Sequence, residues 1–348
     1  SNRNGGTNNM CTAITLQNTQ GAAFFGRTMD FSYPLDPELY VVPRGFQWTN
    51  LLRTHQIRNR YRYMGIGQDL SSVIFADGVN EAGFAAAALY FPGYADYDSD
   101  KTDDGEDARV PVAAIEIVRF LLGLCASLDQ AASLLRTVRI TGVEDSVTGT
   151  VAPLHWMIAD ASGNSMVIEK TADGLHILDN PVGVLTNSPD FPWHLTNLRN
   201  YLNLSPTQTK SQDWGPANLT PFGQGAGAWG LPGDYTPPSR FVRTAFQKTH
   251  ASPTDKTPET VNAGFHILEG VSIPKGIVLT ERSTMDYTQY TAFMDLSQPG
   301  YYFRTYDNSR TTAVKLPDEN EPDASIVSLG KLSSAGRDSG TLHSNDRP

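Results

Sequence analysis

The chain has 348 residues, of which 39% are hydrophobic and 10% aromatic, and its formal net charge is −10 at pH 7. This size allows a substantial hydrophobic core in one large domain or in two ordinary ones. The acidic balance disfavours a general role in binding nucleic acid or an anionic membrane, and no apolar run approaches the length of a bilayer-spanning helix. We therefore expect no nucleic-acid partner and no membrane partner.

Residues 1–10, with the sequence SNRNGGTNNM, lack the apolar stretch and the cleavage pattern of a signal peptide. We interpret them as a leader or pro-segment of a cytoplasmic protein. If this segment is removed after Met10, Cys11 becomes the first residue and carries both a thiol nucleophile and a free α-amine. The reference pKa of such an amine is about 8, which suits a base for its own side chain.

The other cysteine, Cys125, lies in the apolar sequence FLLGLCASL, which is typical of a buried helix. Two cysteines are too few for a disulfide framework in a chain of this length. Cys125 is therefore expected to act as a small buried hydrophobe. Taken alone, Cys11 could equally be an ordinary buried or surface residue.

Short strands are predicted for most of the first hundred residues, where polar and apolar residues alternate. The predicted strands lie in residues 12–31, with a turn at 18–21 and a second strand at 22–25, and in residues 39–43, 61–64, 71–75 and 83–90. The pair Asp77-Gly78 is typical of a turn and is predicted to join the last two strands. Residues 96–107 are acidic and lack apolar periodicity, which indicates an exposed loop.

Two helices and an antiparallel meander are predicted next. Apolar residues recur at helical spacing in residues 111–124 and 127–138, and Pro111 and Asp129 suit first-turn positions. The strands of the meander are predicted at residues 154–160, 165–170 and 175–178.

The last third of the chain begins with residues 203–237, which are rich in Pro, Gly, Thr and Ser and predict a long ordered loop. Helices are predicted at residues 239–249 and 258–269, and strands at 276–280, 287–295 and 301–306. No repeat or linker divides two cores, so residues 11–316 are predicted to form a single α+β domain with sheets inside and helices outside. The polar residues 317–348 are predicted to be a frayed C-terminal tail.

No cofactor or metal motif is found. The glycine pattern at residues 225–230 follows no convincing strand and opens onto no helix, so it fails as a dinucleotide site. The seven histidines are scattered without zinc-type spacing, and we expect neither a metal nor a cofactor. No Ser-His-Asp or Cys-His set can be proposed from spacing alone, so an enzyme that uses Cys11 would need another base.

Several short segments can be read together with Cys11, Arg27 and Asp30. They are DGVNEAG at 77–83, TNSP at 186–189, GLPGD at 230–234 running on to SRF at 239–241, IPKG at 273–276, YTQYT at 287–291 and YDN at 306–308. In this order the set closely resembles the choloylglycine hydrolase family of N-terminal-nucleophile hydrolases, which comprises bile salt hydrolases and penicillin V acylases. The similarity covers roughly residues 11–315.

The resemblance implies a four-layer αββα sandwich, a nucleophile freed by processing and a homotetramer. Cys11 would be the nucleophile, with its own α-amine as the proton acceptor. Arg27 would lie near the thiol and lower its pKa, and Asp30 would accept a hydrogen bond from the α-amine.

Two further residues complete the site that the resemblance implies. Asn187 would donate its side-chain amide to the oxyanion, assisted by a backbone N–H near Tyr90, and Arg240 would support the site electrostatically. Without the resemblance, Arg27 and Asp30 would be a surface ion pair of little consequence, and Asn187 a turn residue.

The family cleaves a linear amide between a bulky apolar acyl group and an amine. In the family, Asn at the place of Tyr90 accompanies bile-salt preference, and Tyr accompanies penicillin V preference. A tyrosine narrows the mouth of the site and offers an aromatic face to a phenoxy ring, while Met29 and Phe31 are expected to form an apolar wall. The resemblance therefore predicts a penicillin V acylase. Alternatives are a bile salt hydrolase, an acyl-homoserine lactone acylase and a catalytically silent binding protein on the same fold.

Overall fold

The computed structural model describes residues 9–101, 107–146, 148–318 and 325–336. These residues form twenty-one strands and five α-helices. In chain order the strands are β1 (Cys11–Gln17), β2 (Ala23–Phe31), β3 (Glu38–Val42), β4 (Gln47–Thr49), β5 (Gln56–Arg58), β6 (Tyr63–Asp69), β7 (Val73–Asn80), β8 (Ala85–Tyr90), β9 (Val110–Ala113), β10 (Val138–Thr141), β11 (Leu154–Ala159), β12 (Ser165–Thr171), β13 (Gly174–Asp179), β14 (Val184–Leu185), β15 (Gln212–Trp214), β16 (Ala217–Leu219), β17 (Val278–Leu279), β18 (Met285–Asp295), β19 (Gly300–Thr305), β20 (Asn308–Lys315) and β21 (Val327–Lys331). The helices are α1 (Ile117–Leu124), α2 (Leu128–Leu135), α3 (Phe191–Asn197), α4 (Pro237–His250) and α5 (Thr257–Glu269).

Two large antiparallel sheets organise the molecule. The first has seven strands in the order β14-β1-β2-β18-β19-β20, with β17 also paired to β18. The second has eight strands in the order β13-β12-β11-β8-β7-β6-β3-β21. The pairs β4 with β5, β9 with β10, and β15 with β16 lie outside the two sheets.

Helices cover the outer faces of both sheets and so produce four layers. Helices α4 and α5 pack on the first sheet through β1, β2 and β18, and α1 packs on the second sheet through β7 and β8. One apolar core includes residues of both sheets and of α4 and α5, and a second core joins the second sheet to α1 and α2. Because each sheet is covered on both faces, its central strands are almost wholly buried. The predicted αββα sandwich is confirmed.

Most predicted elements are present, with boundaries shifted by a few residues. The meander of β11, β12 and β13, the helices α4 and α5, and the position of Asp129 in the first turn of α2 are confirmed. The second strand of the N-terminal hairpin is longer than the predicted 22–25, because β2 continues to Phe31. Arg27, Thr28 and Asp30 break the apolar pattern in the sequence, yet all three are buried in this strand.

The pair Asp77-Gly78 was wrongly predicted as a turn, because both residues lie within β7. The chain turns three residues later, where the Asn80 side chain accepts hydrogen bonds from the backbone N–H groups of Ala82 and Phe84 and Gly83 has a φ of +81°. Asp77 is instead a buried carboxyl group between the two sheets, where it accepts hydrogen bonds from tyrosine hydroxyls. When the hydrogen-bond partners of a buried polar side chain are distant in sequence, the local sequence does not indicate that the side chain is buried.

The prediction that Pro111 begins a helix was also wrong. Pro111 lies in β9, which pairs in parallel with β10, and the chain becomes helical only at Ala114. Val138, predicted as the end of the next helix, is the first residue of β10. Proline is tolerated in a strand of a two-stranded pair, because it can leave its missing N–H on the unpaired side.

The described residues 325–336 of the predicted C-terminal tail include regular structure. Strand β21 pairs antiparallel with β3 at the edge of the second sheet. Strand β20, within the predicted domain, extends the first sheet. Leu332, directly after β21, is only 3% exposed and belongs to the main core. Short and polar edge strands are common in sheets, because they do not invite pairing with another chain.

Within the part of the chain that the structure describes, every helix is too short or too polar to cross a membrane.

Candidate active site

Cys11 is the first residue of β1 and lies between the two sheets, with a side chain that is 1% exposed. It pairs with Met29 on β2, and its backbone N–H donates to Asn187 Oδ1 over 3.2 Å. Burial raises the pKa of the Cys11 thiol above its ordinary value, and Arg27 and Arg240 act in the opposite direction. The predicted influence of Arg27 on the thiol is therefore present, but with Met10 attached to Cys11 the effect of burial on the thiol pKa is larger.

Arg27 lies beside Cys11 as a fully buried guanidinium that connects the two sheets. Its Nη1 donates to the carbonyl oxygens of Ala76 on β7 and Ala88 on β8, over 3.0 and 2.8 Å. The carboxylate of Asp77 lies 3.7 Å from the same nitrogen and compensates its charge. A buried arginine is tolerable only with such partners, because an unpaired buried charge is strongly destabilising.

Asp30 is close to Cys11, but its contacts differ from the prediction. Its Oδ1 accepts a hydrogen bond from the Thr288 hydroxyl over 2.6 Å, and its Oδ2 has no hydrogen-bond partner among the described residues. Burial raises the pKa of Asp30 to about 6. The α-nitrogen of Cys11 is directed to Asn187 instead.

Asn187 and Arg240 form a continuous hydrogen-bonded network around Cys11. Arg240 on α4 donates through Nη1 to the Cys11 carbonyl over 2.7 Å and to Thr12 Oγ1 over 2.9 Å. Its Nη2 donates to Asn187 Oδ1 over 2.6 Å. The Asn187 amide nitrogen in turn donates to the carbonyl oxygen of Tyr90 over 2.8 Å. The structure thus brings all five residues predicted for catalysis into one cluster.

The thiol opens into a predominantly apolar cavity of about 330 Å³ between the sheets. Met29 and Phe31 on β2 form part of its wall, as predicted, and Tyr90 on β8 faces them. The rings of Phe31 and Tyr90 meet edge to face with centroids 5.9 Å apart. Further parts of the wall come from the segment after β2, from strands β6 and β7, and from residues 145–154. Gln68, Asp145 and Thr148 are among its polar members. Such a cavity suits an apolar group held next to the Cys11 thiol.

The last residues before Cys11 lie against this site. Asn9 is 2% exposed, and its side chain accepts hydrogen bonds from the backbone N–H and the hydroxyl of Ser32 over 3.4 and 3.5 Å. The side chain of Tyr90 also hydrogen-bonds Asn9. With Met10 attached, the nitrogen of Cys11 is an amide, which cannot act as a base.

Several residues that contribute to the site were missed from the sequence. Thr288 and Tyr290 lie on β18 beside β2, where they contact Asp30 and line the cavity respectively. Asp286, two residues before Thr288, is fully buried, and neither of its carboxyl oxygens has a hydrogen-bond partner among the described residues. Burial, with repulsion from Asp30, raises the pKa of Asp286 to about 8. Alternation along β18 could not have found this arrangement, because the pairing with β2 shifts between Thr288 and Tyr290, so that Thr288 lies opposite Asp30 and Tyr290 opposite Met29.

In the described ranges, no group of three or more His, Cys, Asp and Glu side chains is arranged to hold a metal ion.

Comparisons with known proteins identify the family of this chain. The profile of the family described as linear amide C–N hydrolases, choloylglycine hydrolase family, matches residues 11–327. The bile salt hydrolase/transferase of Clostridium perfringens is 36% identical over 312 residues, which cover 89% of this chain and 94% of that protein. A solved structure of a variant of the conjugated bile acid hydrolase from the same organism superposes with a TM-score of 0.84, at 33% identity over 91% of this chain and 96% of the other. The penicillin V acylase of Pectobacterium atrosepticum is 24% identical over 304 residues, which cover 80% of this chain and 73% of that protein.

Proposed function

This chain belongs to the choloylglycine hydrolase family of linear amide C–N hydrolases, and from that premise we propose that it cleaves the amide of conjugated bile acids. The observation that carries the proposal is the position of the Cys11 thiol at an apolar cavity of about 330 Å³. A cavity of this kind suits a large, rigid and mainly apolar acyl group such as a steroid. The relatives with the higher identities are named for this substrate class.

The first chemical step requires Cys11 to be the N-terminal residue, so the proposal includes removal of residues 1–10. The free α-amine then accepts the thiol proton, and the thiolate attacks the carbonyl carbon of the substrate amide. Arg27 and Arg240 favour the thiolate through their positive charges. The C–N bond breaks, the departing amine takes the proton from the α-ammonium group, and a thioester to Cys11 remains.

The tetrahedral intermediate needs a hydrogen-bond donor for its oxyanion. The Asn187 side-chain amide has two N–H groups, of which one donates to the Tyr90 carbonyl and the other is available for the oxyanion. Loss of one such donor typically lowers kcat by about 100- to 1,000-fold. A water molecule then attacks the thioester, the α-amine takes its proton, and the acid and the free thiol are released.

Penicillin V is the second candidate substrate, and the contact between Tyr90 and Phe31 favours it. The half-buried Tyr90 ring narrows the cavity opposite Phe31 and could stack on a phenoxy group. The prediction of a penicillin V acylase depended on this residue. Because the named penicillin V acylase is less similar to this chain than the bile salt hydrolases, we place bile acids first.

The test is amine release from glycocholate and from penicillin V, measured in parallel on protein whose N-terminus is Cys11. We expect the larger kcat/KM for glycocholate. Tyr90→Asn should widen the cavity and raise the ratio of glycocholate to penicillin V turnover by about tenfold or more, since one well-placed contact is worth 1–3 kcal/mol.

Two controls separate the mechanism from the substrate. Cys11→Ala should abolish activity toward both substrates, because no other thiol lies at the cavity. Protein that retains Met10 should be equally inactive. Full activity of Cys11→Ala would overturn the mechanism, whereas a preference for penicillin V would overturn only the assignment of the substrate.

A further inference from the structure

Two buried ionisable side chains lie behind Asn187, outside the cavity and outside the mechanism above. His155 on β11 and Glu169 on the neighbouring strand β12 are 0% and 1% exposed. Nδ1 of His155 lies 2.8 Å from Glu169 Oε2, and its Nε2 lies 3.0 Å from the carbonyl oxygen of Thr186, the residue directly before Asn187.

The same glutamate also contacts the other side of the Asn187 segment. Glu169 Oε1 accepts a hydrogen bond from the backbone N–H of Phe191, the first residue of α3, over 2.9 Å. Helix α3 carries His194, whose Nε2 lies 2.9 Å from the carbonyl oxygen of Asn187 itself. His155 therefore holds the peptide group before the Asn187 Cα, and His194 holds the peptide group after it. Glu169 contacts both His155 and helix α3, which carries His194.

Hydrogen-bond chemistry fixes where the protons must lie. A carbonyl oxygen can only accept, so Nε2 of His155 carries a hydrogen that it donates to Thr186. Its Nδ1 faces a carboxyl group, so one further proton is shared within the pair of His155 and Glu169. The His155 ring is stacked on Phe91 with centroids 4.3 Å apart and an interplanar angle of 7°, which prevents it from turning.

A buried pair of this kind is poor evidence for stability, because desolvation offsets most of the attraction between its members. The pair of His155 and Glu169 does supply directional hydrogen bonds to a segment that has no hydrogen bonds of a helix or a sheet to hold it. Asn187 lies between β14 and α3, in a segment with neither helix nor strand. A side chain that must meet a transition state within a fraction of an ångström needs such support when it lies on a loop.

We infer that His155, oriented by Glu169, is a positioning residue that fixes the peptide of Asn187 so that its side-chain amide meets the oxyanion. This inference rests on the proposed function, in which Asn187 is the oxyanion donor. It adds to that function a hydrogen-bonded chain from Glu169 through His155 and the Thr186 carbonyl to Asn187. His155 and Glu169 lie outside the cavity wall that faces the Cys11 thiol.

Two substitutions at position 155 separate its two hydrogen bonds. In His155→Gln, the amide nitrogen can take the place of Nε2 and keep the bond to Thr186, whereas in His155→Asn it can replace only Nδ1 and keep the bond to Glu169. We expect His155→Asn to lower kcat roughly tenfold with KM within about twofold, because transition-state alignment is lost while substrate binding is kept. His155→Gln should restore most of kcat.

The decisive experiment is a double-mutant cycle with Asn187→Ala, measured on processed enzyme that is folded by circular dichroism. If His155 acts through Asn187, His155→Asn should change kcat by less than about twofold once Asn187 is already alanine. Trp156→Phe is the matched control. Trp156 is the equally buried neighbour of His155 on β11, and it packs in the core between the second sheet and helices α1 and α2. Its effect on kcat should be the same in both backgrounds.

An equal loss from His155→Asn in both backgrounds would overturn the inference, as would a rise in KM at constant kcat. If His155→Asn does not fold, Glu169→Ala goes through the same cycle with the same expected coupling. Failure of the proposed function looks different: Asn187→Ala alone would then leave kcat unchanged, and the oxyanion role would be lost whatever His155 does.

Discussion

At the scale of single residues, the site depends on polar groups that are buried and held by specific partners. Arg27, Asn187 and Arg240 have extensive hydrogen bonds to the backbone or to each other. Asp286 does not, although it is equally buried and lies beside Asp30 and Arg240. A buried carboxyl group without hydrogen bonds prefers its neutral form, so Asp286 should be visible in the pH dependence of stability.

Asp286→Asn should flatten the fall in stability between pH 6 and pH 8. The pKa of Asp286 is raised to about 8, so the folded state keeps its proton where the unfolded chain has lost it, and stability decreases as pH rises toward that value. Asp30 contributes mainly below pH 6, because its pKa is about 6. The test is the free energy of unfolding, measured with urea at pH 6, 7 and 8. Its decrease per pH unit should be smaller in Asp286→Asn than in the unsubstituted protein, by up to about 1.4 kcal/mol.

The exposed Asp179, changed to Asn, is the control and should leave the pH slope unaltered. An unchanged slope in Asp286→Asn would mean that Asp286 is charged in the folded state and has a compensating partner.

At the scale of secondary structure elements, local patterns predicted the regular elements and missed those defined by distant contacts. The meander of β11 to β13 and the helices α4 and α5 have clear periodicity and were predicted with nearly correct bounds. Strand β21 has little apolar character and exists because it pairs with β3, which lies almost 290 residues earlier in the chain.

Leu332 should anchor this C-terminal strand. Leu332→Ala removes a core side chain that is 3% exposed, and we expect the free energy of unfolding to fall by about 2–3 kcal/mol. Leu329 lies within β21 itself and is 45% exposed, so Leu329→Ala should change the free energy of unfolding by less than about 0.5 kcal/mol. Chemical denaturation followed by tryptophan fluorescence measures both. Equal and small effects would indicate that the segment after residue 316 is the frayed tail predicted from its composition.

At the scale of the whole molecule, the two sheets are joined by more than apolar packing. Asp77 on β7 accepts hydrogen bonds from the hydroxyls of Tyr290 on β18 and Tyr301 on β19, and it pairs with Arg27 on β2. This cluster connects both sheets beside Cys11. Because an inter-sheet polar cluster is costly to leave unsatisfied, it should contribute both to stability and to the spacing of the site.

Tyr301→Phe should lower the free energy of unfolding by about 1–3 kcal/mol, because it leaves a buried carboxylate oxygen of Asp77 without a donor. Tyr302→Phe, one residue along β19 and half-buried, should have an effect below about 0.5 kcal/mol. Equilibrium unfolding of the two variants gives the comparison. A neutral Tyr301→Phe would show that Tyr290 and Arg27 together satisfy Asp77.

The homotetramer and the cytoplasmic location remain predictions. Sedimentation analysis would test the homotetramer.

The sequence by itself determined the family, through short motifs that are local properties of the chain. The resemblance then implied the αββα layers and the choice of Cys11 as the nucleophile, and the role of Cys11 stays a prediction. Only the tertiary structure decided that Asp77 is a buried inter-sheet carboxyl, that Asp286 lies beside Asp30, and that Glu169 and His155 support Asn187. Each of these is a polar residue whose burial is compensated by partners far away in sequence, and no local pattern records such a partner.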